Sequence, residues 1–228
     1  MGSVAFTSNV EGERRSILAR RMSEDGFRKE QWHHRNDAHI APINQFVDEL
    51  RRIPGRDSVP YIAPMYGGVN ARLLSVLRDP GPQTQEANGG SGFLCMENDD
   101  ATAEAISKLF EGAGIDAGDI VPWNAYPWYI NRAPKAAELE AGVAPLKCII
   151  DLLPKLRVVM LHGGSAHDGW NRLTRQYPKI VAVRGLHVIK THHTSRQAFW
   201  HRDPLVREAR KKDLYESFQK AAQHLHNV

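Results

Sequence analysis

Four short apolar runs constrain this chain more than any other feature: Leu73–Leu77, Ile120–Trp123, Val158–Leu161 and His187–Thr191. Each is followed by turn residues and then by a helical pattern. Ile106, Leu109, Phe110 and Ala113 form an apolar stripe between the first two runs, introduced by Asn98-Asp99-Asp100, whose side chains can cap free amides. Leu146, Ile149, Ile150 and Leu153 do the same before the third run, closed by Pro154. Trp170, Leu173 and Tyr177 suggest a shorter helix after it. Asp203-Pro204 opens a terminal helix carrying Leu214, Phe218, Ala221 and Leu225 on one face. Strands separated by helices need right-handed crossovers, and these produce a parallel sheet covered on both faces. The expected fold is therefore α/β, a three-layer α/β/α sandwich around a central four-stranded parallel sheet.

Upstream, Ile43, Phe46, Val47 and Leu50 mark one more amphipathic helix, ended by Pro54-Gly55, and a single domain over residues 41–228 is expected to begin there. Residues 1–40 read as a polar arm, partly helical or flexible, with paired basics at Arg14-Arg15 and Arg20-Arg21 and one short helix around Ser16–Met22. With 228 residues at 42% hydrophobic and 25% charged, the chain can bury one substantial core. No run approaches the ~20 apolar residues of a membrane span. The start lacks the apolar centre of a secretory signal, and Phe6 stands where a myristoylation site needs Ser or Thr. Cys95 and Cys148 are the only cysteines, too few for a disulfide framework, a four-cysteine zinc site or a four-thiolate iron–sulfur cluster. A cytoplasmic protein is expected. The net charge of +4 and the pI of about 9.1 lean toward an anionic partner.

In open α/β sheets ligands bind beyond the carboxyl ends of the strands. Here those ends run into Arg78-Asp79-Pro80-Gly81-Pro82, Asn124-Ala125-Tyr126, His162-Gly163-Gly164-Ser165 and His192-His193-Thr194-Ser195-Arg196. Singly, each has an ordinary structural reading: a turn aspartate, a helix-capping serine, a surface histidine pair. All four at one edge of one sheet form a candidate cleft holding a carboxylate, an amide, a Gly-Ser turn and an imidazole.

These residues resemble the uracil-DNA glycosylase superfamily over about residues 60 to 200. Leu77-Arg78-Asp79-Pro80-Gly81 is similar to its first motif, G-Q-D-P-Y or G-E-A-P-G. Trp123-Asn124-Ala125 is similar to its strand ending in L-N-A, and Gly164-Ser165 to its glycine-serine turn. His187 to Arg196 resembles its final strand and H-P-S-P motif. The resemblance implies base-excision repair: hydrolysis of the bond between uracil N1 and deoxyribose C1′ after the nucleotide is flipped out of single- or double-stranded DNA. It implies Asp79 beside C1′, favouring the developing cation and orienting water. His193 would donate a hydrogen bond to the base oxygen that gathers negative charge, and Asn124 would read O4 and N3–H. Arg78, Pro80 and Gly81 would contact the substrate, while Gly164, Ser165, Thr194, Ser195, Arg196 and Gln197 would hold DNA. Phe93 would stack on the base or be an ordinary core aromatic. No cofactor or metal is implied, and a monomer is expected.

The departures from the family pattern carry their own expectations. Gly81 stands where the aspartate branch has a tyrosine that blocks the thymine methyl, which leaves exclusion of 5-substituted pyrimidines open. Gln197 replaces the leucine wedge, so duplex invasion would fall to Arg196, Gln197 or Phe199, or single strands would be preferred. Two other classes stay in view: a uracil or damaged-DNA binding protein with little turnover, and a serine hydrolase built on Ser165. The latter lacks the closing glycine of a G-x-S-x-G elbow, because His167 takes its place. A zinc hydrolase using His33-His34 or His192-His193 is weaker still, since adjacent residues of an extended segment point opposite ways.

Overall fold

The computed structural model describes residues 14–56, 58–195 and 200–226. The four apolar runs form the strands of one parallel sheet: β2 (Leu73–Leu77), β4 (Ile120–Asn124), β5 (Val158–His162) and β6 (His187–Thr191), in the order β4-β2-β5-β6. A separate parallel pair joins β1 (Tyr61–Ile62) to β3 (Phe93–Leu94). Every residue of β4 and β5 is buried, which is why they read as unbroken apolar runs; β6, at the sheet edge, exposes His187 and Lys190 and buries Ile189 and Thr191.

Helices cover both faces. Helix α3 (Ala101–Gly112) and the terminal α8 (Pro204–His226) meet on one face through Phe110 and Phe218, whose rings lie edge to face at 4.7 Å. On the other lie α2 (Ala41–Arg51), α5 (Val143–Leu152) and α6 (Gly164–Gln176), with Phe46 of α2 stacked on Trp123 of β4. Short α4 (Ala136–Ala141) and α7 (Ile180–Arg184) complete the connections. The expected caps are made: Asp100 Oδ1 accepts from the backbone N–H groups of Thr102 and Ala103, and Asp203 Oδ1 from that of Leu205. The three-layer sandwich is thus the observed architecture. No helix among the described residues is long and apolar enough to cross a membrane.

Residues 14–40 pack against the domain. Ile17, Met22 and Ile40 join the core. Of the stretch around Ser16–Met22 only its end is helical, in the single 3-10 turn Arg21–Ser23; before it the backbone N–H groups are bound elsewhere, Ile17 donating to Glu111 and Leu18 to Glu97. The helix forms later, as α1 (Asp25–His34), and its Trp32 packs on Phe93 at 4.8 Å. Only Phe27 and Trp32 supply α1 with large apolar side chains, so its sequence carries little helical stripe.

Candidate functional site

Beyond the carboxyl edge of the sheet lies a cavity of about 400 Å³. The segment after β2 lines it with Arg78, Asp79, Pro80 and Gly81; β4 contributes Asn124, and the segment after β6 contributes His193 and Ser195. Parallel pairing sets Leu77 opposite Asn124, so Asp79, two residues on, and the amide share one edge. The far wall is Leu94 at the end of β3, Cys95 and Met96 after it, and the first residues of α3.

Unsatisfied polarity gathers at this edge. Seven buried side-chain polar atoms lack a hydrogen-bond partner among the described residues, and all but Arg172 Nε belong to residues in the last two positions of β4, at the ends of β5 and β6, or within three residues past β2 and β6. Each such atom costs free energy, on the order of 1–3 kcal/mol. Native folds carry few of them away from functional sites. Two, Asp79 Oδ2 and Asn124 Nδ2, belong to residues that line the cavity.

The Asp79 side chain is only 2% exposed. Its Oδ1 accepts from Arg78 Nε, and the backbone of Asn131 hydrogen-bonds the same carboxylate. Burial pushes its pKa up, opposed by Arg78, Asn131 and the more distant Arg132, and the balance stays above the usual value. Asn131 reaches this position with φ at 50°, in the left-handed region that asparagine tolerates better than most residues. Asn124, at the end of β4, is only 2% exposed and lines the cavity, with Nδ2 buried and lacking a hydrogen-bond partner among the described residues.

In His193 the Nδ1 accepts the backbone N–H of Ser195 at 3.1 Å. The neutral ring therefore carries its proton on Nε2. Burial, and then the charge of Arg78, push the imidazole pKa below its usual value, so the ring is a neutral donor at neutral pH. Gly163 packs against it. A Cβ there would stand 3.0 Å from His193 Cβ, and the φ of +85° also favours glycine.

The remaining expected site residues divide. Gly164, exposed, and Ser165, half-buried, open α6 at the same sheet edge but do not line the cavity. No side chain caps this helix start, which leaves its amides free for an anion. Thr194 is buried with its hydroxyl unpaired, and Ser195 lines the cavity. Arg196, Gln197 and Phe199 lie outside the described residues. Phe93 is fully buried between Trp32 and Tyr61 and does not line the cavity. Its packing is that of a core aromatic, and the wall beside it is Leu94, Cys95 and Met96. His162 at the end of β5 likewise turns inward, its Nε2 3.0 Å from Ser75 Oγ.

The hydrolase alternative meets a geometric obstacle. His167, two residues from Ser165, directs Nε2 at the carbonyls of Leu161 and Thr191, both at 3.1 Å, and so acts as a donor rather than a base. Sequence reasoning missed Asn131 and the α3 wall; an asparagine suited to the left-handed region was the one local signal. Among the described residues, no three or more His, Cys, Asp or Glu side chains are grouped to hold a metal ion. No protein-family model matches the chain, and no curated protein matches it in sequence.

Proposed function

We propose that this protein is a uracil-DNA glycosylase that excises uracil from DNA by base flipping and leaves an abasic site, acting in a bacterial-type cytoplasm or nucleoid as a monomer. The observation that carries this reading is one cavity lined by three groups of complementary chemistry: a carboxylate with a free oxygen, an amide with a free N–H, and a neutral imidazole whose proton is held on Nε2.

A flipped uracil would present O4 and N3–H to the Asn124 amide, which offers one donor and one acceptor; cytosine reverses that pattern and leaves a buried group unpaired. As the C1′–N1 bond breaks, its electron pair passes to the base, and the His193 Nε2–H hydrogen bond to O2 strengthens as charge collects there. Asp79 faces the cation left at C1′. Its free Oδ2 orients a water molecule whose oxygen bonds to C1′ and whose proton passes to the carboxylate. The uncapped start of α6 and Ser165 would take the target's phosphates, with Thr194 and Ser195 on the neighbouring segment after β6. A net charge of only +4 makes the grip on DNA modest and salt-sensitive.

The test is incubation with uracil-containing single- and double-stranded oligonucleotides followed by alkali. Strand breakage at uracil is expected, largely abolished by Asp79→Asn and His193→Ala and reduced by Asn124→Ala. Binding without an abasic product would instead establish a uracil or damaged-DNA binding protein.

A further inference from the structure

Asp79 and His193 both line the cavity, and the proposed reaction asks opposite charge states of them. A carboxylate sharing a small cavity with an imidazole draws a proton onto the ring. An imidazolium there would add positive charge beside the cation developing at C1′ and cancel what the carboxylate supplies. The reaction needs the carboxylate charged and the ring neutral.

Arg78 is placed to enforce that combination. Its Nε pairs with Asp79 Oδ1, while Oδ2 stays buried without a hydrogen-bond partner, so the guanidinium also selects which oxygen is engaged. The side chain is 42% exposed, at the cavity lip rather than in the core. The other groups facing this pair are already engaged. Arg132 is tied to Glu138 Oε2 at 2.8 Å, Asp100 Oδ1 caps α3, and Asn131 offers Asp79 only its backbone. His162, behind His193, is bound to Ser75. Arg78 is the cation that acts on both Asp79 and His193, and it shifts both titrations downward.

We propose that Arg78 is a positioning residue that holds Asp79 charged with one oxygen free and holds His193 neutral, acting on both through one guanidinium. This rests on the glycosylase reading of the cavity, and the experiment separates the two. In the free protein, the titrations of the Asp79 carboxyl and the His193 imidazole are followed by NMR in wild type, Arg78→Gln and Arg78→Lys. Loss of a directly paired charge moves a carboxyl by about one pH unit or more, and a group elsewhere on the same cavity moves less. Both titrations are expected to rise in Arg78→Gln and to return most of the way in Arg78→Lys. On uracil-containing single strands, the acid limb of the kcat profile in Arg78→Gln should move to higher pH, with kcat falling by a larger factor than KM rises. Either titration standing still, or a loss confined to KM as for a plain phosphate contact, overturns the proposal. If wild type releases no uracil, the glycosylase reading fails, while the NMR titrations still decide what Arg78 does.

Discussion

Glu97 and Asp79 are both buried carboxylates paired with an arginine, and both are pushed up in pKa first by burial. Their surroundings differ in one respect. Glu97, fully buried, has every oxygen engaged: Oε1 accepts from Leu18 N at 2.7 Å and Arg21 Nη2 at 3.1 Å, and Oε2 from Arg21 Nε at 2.6 Å. Asp79 has one oxygen engaged and one bare. The first anchors residues 14–23 to the domain; the second keeps an unmet hydrogen-bonding capacity that a substrate or water can meet. A buried charge that is fully partnered belongs to the fold, and one left half-partnered against a cavity points to chemistry.

The strongest way to break that contrast is to neutralise each carboxylate. Asp79→Asn is expected to reduce uracil release by about 10³-fold or more, as losses of positioned acid–base and charge-stabilising groups do. Its melting temperature at pH 7 should stay level or rise. The sign follows from the raised pKa: the folded state holds the Asp79 proton more tightly than the unfolded one, so that contribution to stability is present at low pH and lost as pH rises through the folded value. Asparagine removes the cost of ionising at neutral pH.

Glu97→Gln also relieves a raised pKa, but it breaks a fully satisfied cluster, and the lost hydrogen bonds outweigh that relief. Its amide would turn a donor toward the donors of Arg21, leaving a buried ion pair broken, at a cost of about 3 kcal/mol. Denaturant unfolding measures the loss, and uracil release per folded molecule should stay within about twofold of wild type. A Glu97 variant that folds normally but stops cleaving would erase the distinction.

His162 sharpens the contrast from another side. It too is buried with an unpartnered atom, Nδ1, but it does not line the cavity, so an orphaned atom alone does not make a site. Burial first, then His193 and His167, push its pKa down to about 3. The unfolded chain binds this proton near the ordinary imidazole value and the folded chain does not, so stability is full at neutral pH and falls as pH drops toward 3. Between pH 7 and 5 the loss should be about 2 kcal/mol from this group. Unfolding curves for His162→Gln should flatten over that interval; an unchanged slope would mean the ring takes a proton without unfolding.

The strands and their ends were legible in the sequence because the sheet is buried on both faces and its apolar runs need no partner to be recognised. Asp79, Asn124 and His193 followed from them, since parallel topology brings successive strand ends to one edge. The wall formed by Met96 and the start of α3 was not legible, and neither was the inward turn of Phe93. In a two-residue strand, which neighbour faces the cavity is decided by what packs on it, here Trp32 from a segment that carries almost no apolar periodicity. The packing of residues 14–23 was hidden for a related reason. Ion pairs and backbone bonds to Glu97, Glu104 and Glu111, some 75 to 100 residues away, hold it rather than a stripe of its own.

The smallest expected effect concerns Gly81, on the same cavity wall as Asp79. A Cβ built there meets nothing within 4 Å, so Gly81→Tyr adds a ring to open space rather than to packed structure. Stability should therefore move by no more than about 0.5 kcal/mol. If the wild-type cavity accepts 5-substituted uracils, the tyrosine should lower their release relative to uracil by about 10- to 100-fold, the range that one extra steric contact in a pocket delivers. A panel of oligonucleotides carrying uracil, thymine and larger 5-substituted bases reads the ratio directly. A wild type already confined to uracil would assign the exclusion to another group on this wall. Pro82 lines the cavity and Gln83 does not, so Pro82→Ala should then widen the range.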